Sequence, residues 1–296
     1  MGVPEALSSK AVVQAAWPIR RVRQAGLVVF HLLALGPLFT GVTTEGVLIG
    51  VALYGVRMFG ITGVYHRYFA HRTYKTSRWF QFVLLLVAST SLQRGAIWWA
   101  AHHRDHHRWS DQKADPHSPE QHGLWHAHIA WLWSERARRS GHVPRDLVKH
   151  VELRLQDRFW MVPGYALGFA IWYVFGWSAL FVGFIWSTLA SLHLTMCVNS
   201  VVHRWGTRRF ETRDGSRNNW VMGLLVFGEG WHNNHHHDQS VCRQGLAWYE
   251  VDLTYYILRG LQAVGLIWDI KEPAWQANKR LARGAKRAVE ADAAAS

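Results

Sequence analysis

Hydrophobic positions along the chain form four long apolar stretches, separated by short links or by long polar segments. The stretches cover about residues 26–42, 46–64, 161–177 and 179–200. A helix needs about 17–25 apolar residues to cross a bilayer, so the pattern predicts four transmembrane helices. A fifth stretch, 79–92, is followed by Gln93 and Arg94 and is predicted to lie partly in the membrane or against the other helices.

The basic residues predict how these helices are oriented. Arginines precede the first stretch, whereas the links TTE and FGWS, which join the members of each pair, contain no lysine or arginine. Because basic residues are retained on the cytoplasmic side, both links are predicted to face outward and both termini inward. The chain is thus predicted to be a single all-α integral membrane domain over 1–296, with a cytosolic segment 1–25, a transmembrane pair 26–64, a cytosolic segment 66–160, a second transmembrane pair 161–200, a cytosolic segment 201–275 and a basic tail 276–296.

Composition agrees with a membrane protein that has a basic aqueous face. Hydrophobic residues make up 49% of the chain, 18 residues are tryptophan, and the formal charge is +13. Such a charge suits the cytoplasmic membrane surface, where basic side chains contact anionic membrane lipid, and no nucleic acid partner is expected. The 2 cysteines provide no disulfide framework, which suits a cytoplasmic active face.

Histidine indicates the chemistry, since most of the 19 histidines lie in clusters. A proton shuttle rarely needs more than one or two neighbouring imidazoles, so the clusters favour a metal. Each H-x-x-H-H motif places its imidazoles on one face of a helix, whereas the H-x-x-x-x-H pair would lie about 140° apart on an α-helix and is predicted to straddle the end of the second span. Nine spaced imidazoles are too many for one ion and indicate two: His66, His71, His103, His106, His107, His203, His232, His235 and His236.

The remaining histidines in or near these motifs stay open between a ligand and an ordinary surface or core residue. They are His102, His117, His126, His128 and His237.

The ligand type narrows the choice of metal. Neutral imidazole suits zinc, copper, iron and nickel, and the absence of cysteine from the clusters excludes an iron–sulfur site. A structural zinc ion would have four ligands and would need no second ion beside it. Two redox-active Fe ions therefore fit the pattern best.

The histidine motifs resemble those of membrane fatty-acyl desaturases of the stearoyl-CoA desaturase type, with local similarity to bacterial members. The resemblance covers about residues 46–270 and rests on GITGVYHRYFAHRTYK, HHRDHHRWSDQKADPHSP, NSVVHRWG and GEGWHNNHHHD. It implies four transmembrane helices under a cytosolic helical cap that holds a di-iron site, in a bacterial inner membrane. It also implies that the nine spaced histidines are the iron ligands and that Asn199 reaches one iron through a water.

The resemblance further implies an O2-dependent reaction that places a cis double bond, at carbon 9, in a saturated fatty acyl-CoA or phospholipid acyl chain. Related histidine-rich enzymes hydroxylate alkyl or lipid substrates, so a hydroxylase is the alternative; a metal transporter or a metal-storage protein is a second alternative.

The chain lacks a dinucleotide-binding motif, so an external ferredoxin-like or haem protein with its reductase is expected to supply electrons. The face of this chain that binds the donor is predicted to include five basic residues, which could instead contact anionic lipid: Arg136, Arg138, Arg139, Arg145 and Lys149.

Two departures from the animal acyl-CoA enzymes leave the acyl carrier open. Ala101-His102 stands where those enzymes have an Arg-Asp pair, and Glu135-Arg136 where they have a basic pair. We favour acyl-CoA, with lipid-linked chains as the alternative. Side chains that could hold the imidazole N–H groups, or instead cap helices or pair with arginines, are Asp111, Asp115, Asp238, Asn233 and Asn234.

A row of side chains on the second span predicts the wall of a substrate tunnel. Steps of four residues back from His66 reach Thr62, Met58 and Tyr54. At 1.5 Å per residue, Met58 would lie about 12 Å from His66 along the helix axis, which suits the end of an acyl chain. Thr195 and Met196 on the fourth span are predicted to close the tunnel from the other side, and ordinary helix packing is the alternative for the whole set.

Overall fold

A computed structural model describes residues 20–137 and 140–274. Arg138, Arg139, the tail 276–296 and most of the N-terminal segment 1–25 lie outside these described residues. The described chain is mostly helical, which confirms the all-α prediction. Its α-helices are α1 (Arg20–Leu33), α2 (Pro37–Thr40), α3 (Thr44–Phe59), α4 (Arg78–Ser89), α5 (Ala96–Trp109), α6 (Pro119–His122), α7 (Leu124–His128), α8 (Arg145–Val148), α9 (Val151–Arg158), α10 (Val162–Ser178), α11 (Ser187–Ser200), α12 (Trp220–Leu225), α13 (His232–His237) and α14 (Leu253–Ala263).

Three further helical segments and one small sheet complete the described chain. Two π-helices, Gly60–Ala70 and Ala179–Trp186, continue α3 and α10 without interruption, and a 3₁₀-helix covers Ala130–Trp133. The sheet pairs β1 (Lys75–Thr76) antiparallel to β2 (Ile267–Trp268), with Lys75 opposite Trp268.

Among the described residues, two helical segments are long and apolar enough to cross a membrane, Thr44–Ala70 and Val162–Ser200. We call Thr44–Ala70 the long helix. The second helix breaks at Gly176, whose φ of 78° and ψ of −171° are not helical. This break falls within FGWS, the predicted link between the third and fourth apolar stretches. The first and fifth stretches correspond to shorter apolar helices, Ala25–Thr40 and Arg78–Ser89.

The C-terminal end of the long helix lies between the two histidines of H-x-x-x-x-H, as predicted. The helix ends at Ala70, and its last 11 residues, Gly60–Ala70, form a π-helix, which the sequence did not predict. The backbone N–H of His71 donates to the carbonyl of His66 at 3.1 Å, which is the i→i+5 bond of this helix type. The wider turn brings residues five apart close together around the axis, so H-x-x-x-x-H can serve one site without a break in the helix.

Helix α4 packs against this π-helix, as predicted for the fifth stretch. Leu84, Leu85 and Ala88 are buried in the main core cluster, and a Cβ on Gly60 would lie 2.8 Å from the Cα of Ala88. Buried Arg57 binds the end of α4 by donating to the carbonyl of Thr90 at 3.0 Å. Arg57 also donates to the carbonyl of Phe184 at 3.1 Å, so this buried charge joins the two long helices.

Gly176 offers a test of the break between α10 and the following π-helix. Its φ and ψ lie in a region that essentially only glycine occupies, so Gly176→Ala is expected to cost about 1–3 kcal/mol. Thermal unfolding of the detergent-solubilised protein measures this effect. Gly260→Ala is the matched control, because Gly260 lies inside α14 with open space around its Cβ position; equal melting temperatures for the two variants would contradict the expected strain.

Candidate metal centre

Five of the predicted histidines form one cluster: His66, His71, His103, His107 and His235. Their Nε2 atoms converge. The Nε2 atoms lie 2.7 Å apart for His71 and His103, and 3.0 Å apart for His66 and His235 and for His107 and His235. We call this group the five-histidine cluster.

The other four form a second group, the four-histidine cluster, with His106, His203, His232 and His236. The Nε2 atoms of His203 and His232 lie 3.0 Å apart. Both H-x-x-H-H motifs are helical, as predicted, on α5 and α13. Each motif nevertheless contributes to both clusters, because neighbouring histidines such as His235 and His236 point to different sides.

This geometry fits metal ions. Two nitrogens bound to one ion at about 2.1 Å and at right angles lie about 3.0 Å apart, close to the observed spacings. Burial and the neighbouring imidazoles hold the pKa values of His71, His103, His107 and His235 well below the usual range for histidine. These rings are therefore neutral at pH 7, which is the form that binds a metal.

Carboxylates bind the opposite nitrogens of four of these rings. Within the four-histidine cluster, Nδ1 of His203 lies 2.8 Å from Asp111, that of His236 2.6 Å from Asp214, and that of His106 3.1 Å from Asp115. In the five-histidine cluster, Nδ1 of His66 lies 2.6 Å from Glu229. A carboxylate at Nδ1 fixes the ring orientation and leaves Nε2 for the metal.

The environment of Asp111 keeps it charged in this role. Burial opposes the charged form, but hydrogen bonds from His203, Ser118 and the backbone of Gly215 lower the pKa of Asp111 to about 2. Its carboxylate therefore accepts the Nδ1–H of His203 across the neutral pH range.

The sequence predicted two of these four carboxylates, Asp111 and Asp115. Asp238 instead accepts a bond from the hydroxyl of Ser240 at 2.6 Å. Asn233 accepts from the backbone N–H of Arg209, and Asn234 from the side-chain amide of Asn218, both at 2.8 Å, so both amides organise loops beside α13 rather than contact imidazoles.

Glu229 and Asp214 were missed by sequence reasoning. Glu229 lies three residues before His232 in GEGWH, and Asp214 lies in the turn RDGS. Of the two, Glu229 was the easier to predict from the sequence, because it lies within GEGWHNNHHHD, close to the histidines.

The five unassigned histidines lie around the clusters or elsewhere. His102 binds the carbonyl of Trp98 at 2.8 Å, and His126 that of Pro116 at 3.2 Å. His117 packs on His106 with ring centroids 4.5 Å apart, and His237 stacks on Phe210 at 3.9 Å. The Nε2 atom of His128 lies 3.0 Å from Nδ1 of His193. None of the five belongs to either cluster defined above.

A cavity of about 40 Å³ lies against both clusters. Three of the predicted tunnel residues line it, Met58, Thr62 and Thr195, together with Asn199. Asn199 donates to the sulfur of Met196 at 3.7 Å. Met196 packs instead with Trp98 and Trp131, and Tyr54 donates from its hydroxyl to the carbonyl of Leu225, so these two predicted tunnel residues do not line the cavity. The other lining residues are Ile61, His66, Trp99, His103, His106, Val198, Val226, Glu229 and His232.

Two imidazole clusters at the end of long apolar helices, beside a largely apolar cavity, define a membrane-associated metalloprotein that acts on an apolar substrate. The chain belongs to the fatty acid desaturase family, whose model matches residues 45–267. The family consists of O2-dependent oxidoreductases, and the resemblance predicted from the histidine motifs is confirmed.

Proteins that are similar to this chain over most of its length are named as desaturases. Delta-9 acyl-lipid desaturase 2 of Arabidopsis thaliana is 34% identical over 264 residues, which are 87% of this chain and 84% of that protein. The acyl-CoA C20 Delta5-desaturase of Anemone leveillei is 36% identical and covers 83% of this chain and 82% of its own. The sn-1 stearoyl-lipid 9-desaturase of Anabaena variabilis is 38% identical and covers 72% and 78%, respectively.

The carboxylate partners can be tested through metal binding. Asp214→Asn removes the charge at Nδ1 of His236 and is expected to weaken metal binding at the four-histidine cluster about 10–100-fold. Metal titration of the purified apo-protein, followed by elemental analysis, measures this loss. Asp238→Asn is the matched control, because Asp238 lies two residues from His236 and contacts Ser240; equal affinities in the two variants would contradict the assignment.

Proposed function

We propose that this protein is a multi-pass membrane desaturase that uses two Fe ions and O2 to place a cis double bond at carbon 9 of a saturated long acyl chain. The single observation that supports this most is the pair of imidazole clusters facing one cavity. The names of the Arabidopsis and Anabaena relatives support carbon 9 as the position.

Each cluster would hold one iron. The five-histidine cluster and the four-histidine cluster supply nitrogen ligands only, and Asn199 on the cavity wall would reach one ion through a water. The irons would supply the redox chemistry that no side chain can perform on an unactivated methylene pair. The carboxylates Glu229, Asp111, Asp115 and Asp214 would hold the Nδ1 protons in place during the reaction.

The cavity wall would position the reacting carbons. Met58, Ile61, Val198 and Val226 present apolar surface toward the histidines. The indole of Trp99 stacks on His103 with centroids 4.8 Å apart, and it also lines the cavity. These groups would exclude water from the reacting methylenes and hold the chain beside both clusters.

Four membrane spans are the arrangement we propose for these helices. The break at Gly176 divides Val162–Ser200 into two spans, as the sequence predicts, and Ala25–Thr40 would form the first span beside Thr44–Ala70. With the outward links at 43–45 and 175–178, the histidine clusters and both termini would face the cytoplasm of a bacterial inner membrane. The segments 66–160 and 201–275 would then form the cytosolic cap over a single domain.

Other partners follow from the reaction. The acyl chain would arrive on a membrane lipid or on CoA, and both carriers occur among the named relatives. A ferredoxin-like or haem protein with its reductase would supply electrons, and Arg136, Arg145 and Lys149 stay candidates for its docking face. The hydroxylase alternative is not favoured, because the family match and the relatives are all named for desaturation.

Alanine substitutions test the two-iron site. His106 belongs to the four-histidine cluster and His235 to the five-histidine cluster, so either His106→Ala or His235→Ala is expected to abolish desaturation. Each variant should also lose up to one of two irons per chain. Iron content after expression in iron-rich medium and an O2-dependent product assay measure both effects. His237→Ala, at the end of α13, is the control; full activity in both cluster variants would contradict the proposal.

Chain-length preference tests Met58. Because Met58 closes the cavity against Val202, Met222 and Val226, Met58→Ala is expected to shift preference toward longer chains and Met58→Trp toward shorter ones. Product analysis with saturated chains of different lengths measures this shift. Met161→Ala is the matched control, since Met161 is 40% exposed and does not line the cavity. An unchanged length profile in both Met58 variants, with iron retained, would assign Met58 to packing alone.

A further inference from the structure

Helix α12 lies much deeper along the long helix than its place in the chain suggests. It follows His203 and precedes α13, both of which belong to the metal centre. The hydroxyl of Tyr54 nevertheless donates to the carbonyl of Leu225, the last residue of α12. Tyr54 lies 12 residues before His66, a distance of about 18 Å along a helix. The chain therefore returns from the clusters toward the proposed membrane region and then rises again to Glu229.

The inner side of this segment forms part of the cavity wall. Met222 and Val226 pack on Met58, and Leu194 and Val198 of α11 complete the same apolar group. Val226, Met58 and Val198 also line the cavity. Helix α12 and Val226 thus fill the space between the long helix and α11 at the level of the cavity.

The outer side of α12 is exposed and apolar. Trp220, Val221, Leu224 and Leu225 are 67%, 43%, 51% and 44% exposed, respectively. The helix sequence, WVMGLL, contains no charged side chain. Contiguous exposed apolar surface of this kind marks an interaction site in a protein. On the long helix, Val51 is 67% exposed and lies one turn before Tyr54, so the exposed face of α12 continues the outer face of a candidate membrane span.

The carbonyl of the last residue of α12 is hydrogen-bonded, as a lipid environment requires. The last carbonyls of a helix have no partner within the helix. In hydrocarbon no water is available to bind them, and each unpaired group costs several kcal/mol. The phenol of Tyr54 supplies the donor for Leu225 from a neighbouring span.

We propose that α12 is a re-entrant helix in contact with bilayer acyl chains, and that the substrate chain enters the cavity from the bilayer beside α12 while still attached to a membrane lipid. The choice of substrate rests on the proposed desaturase function. The cavity of about 40 Å³ holds only a few waters, so an acyl chain needs its wall to move. Helix α12 is a short segment beside that wall, and its outer side is lipid-compatible.

Spin labelling tests the position of α12 without any activity measurement. The whole protein is reconstituted in lipid nanodiscs as Leu224→Cys in a Cys197→Ser background and labelled with a nitroxide. The label is expected to be accessible to O2, which dissolves in the bilayer. Its accessibility to a water-soluble nickel chelate is expected to be at least 10-fold lower than that of a label at Gln112→Cys in the cap. A label at Phe169→Cys on α10 is the lipid-facing control. Nickel accessibility at Leu224 equal to that at Gln112 would overturn the re-entrant assignment.

A second variant tests whether the hydrogen bond from Tyr54 holds α12 in place. Tyr54→Phe removes only the hydroxyl that binds Leu225, so the Leu224 label is expected to become more mobile, with a narrower spectrum. Tyr173→Phe on α10 is the matched control, because Tyr173 is 77% exposed. An unchanged spectrum in Tyr54→Phe would show that this bond does not hold α12.

The acyl carrier is tested with purified iron-loaded protein and a chemical reductant. One set of discs contains stearoyl phospholipid; the other contains only unsaturated phospholipid and receives stearoyl-CoA. We expect the phospholipid chain to be desaturated at least 10-fold faster, and turnover of the thioester alone would overturn lateral entry of a lipid-linked chain. If neither carrier is desaturated while the Leu224 label lies in lipid, the proposed enzyme function is wrong and the re-entrant helix stands.

Discussion

The close approach of nine imidazole nitrogens is the constraint on which the rest of the structure depends. Rings with Nε2 atoms 2.7–3.0 Å apart cannot all be protonated without strong repulsion. Burial disfavours the charged form, and four carboxylates bind the opposite nitrogens, so the lone pairs can converge. No single helix can present nine imidazoles to two points. The ligands therefore come from the π-helix, α5, the turn after α11, and α13, and the fold has to bring these four segments together.

The long helix is held to the third histidine motif by a buried ion-pair network. Arg67, next to His66, donates to Asp252 at 2.9 Å and to Glu229 at 3.2 Å. Glu229 also contacts Nδ1 of His66. This one carboxylate, close to the third histidine motif in the chain, therefore contacts two adjacent residues of the long helix. Asp252 caps α14 by accepting from the N–H of Tyr255 at 3.0 Å. Removing Arg67 would leave two buried carboxylates without a counter-charge, which is costly in a site this enclosed.

The sequence was sufficient for the local parts of the centre and insufficient for its assembly. The H-x-x-H-H motifs predicted helices and ligands, because the 3.6-residue turn places those rings on one face. The same spacing could not show that His235 and His236 serve different clusters, which depends on where other segments lie. The π-helix at His66 and the return of α12 to Tyr54 also escaped prediction, since tertiary packing rather than residue spacing sets both. Asp214 was missed for the same reason: the loop that carries it reaches His236 only in the folded chain.

The two clusters differ in their charge environment, although both consist of imidazoles only. Asp111, Asp115 and Asp214 all bind rings of the four-histidine cluster, whereas Glu229 alone binds a ring of the five-histidine cluster and shares its charge with Arg67. His71, His103 and His107 of the five-histidine cluster are partly exposed, whereas His106, His203 and His232 are buried. Nearby carboxylates stabilise positive charge on a metal most strongly where water is excluded. The four-histidine cluster therefore offers a positively charged ligand the more negative surroundings.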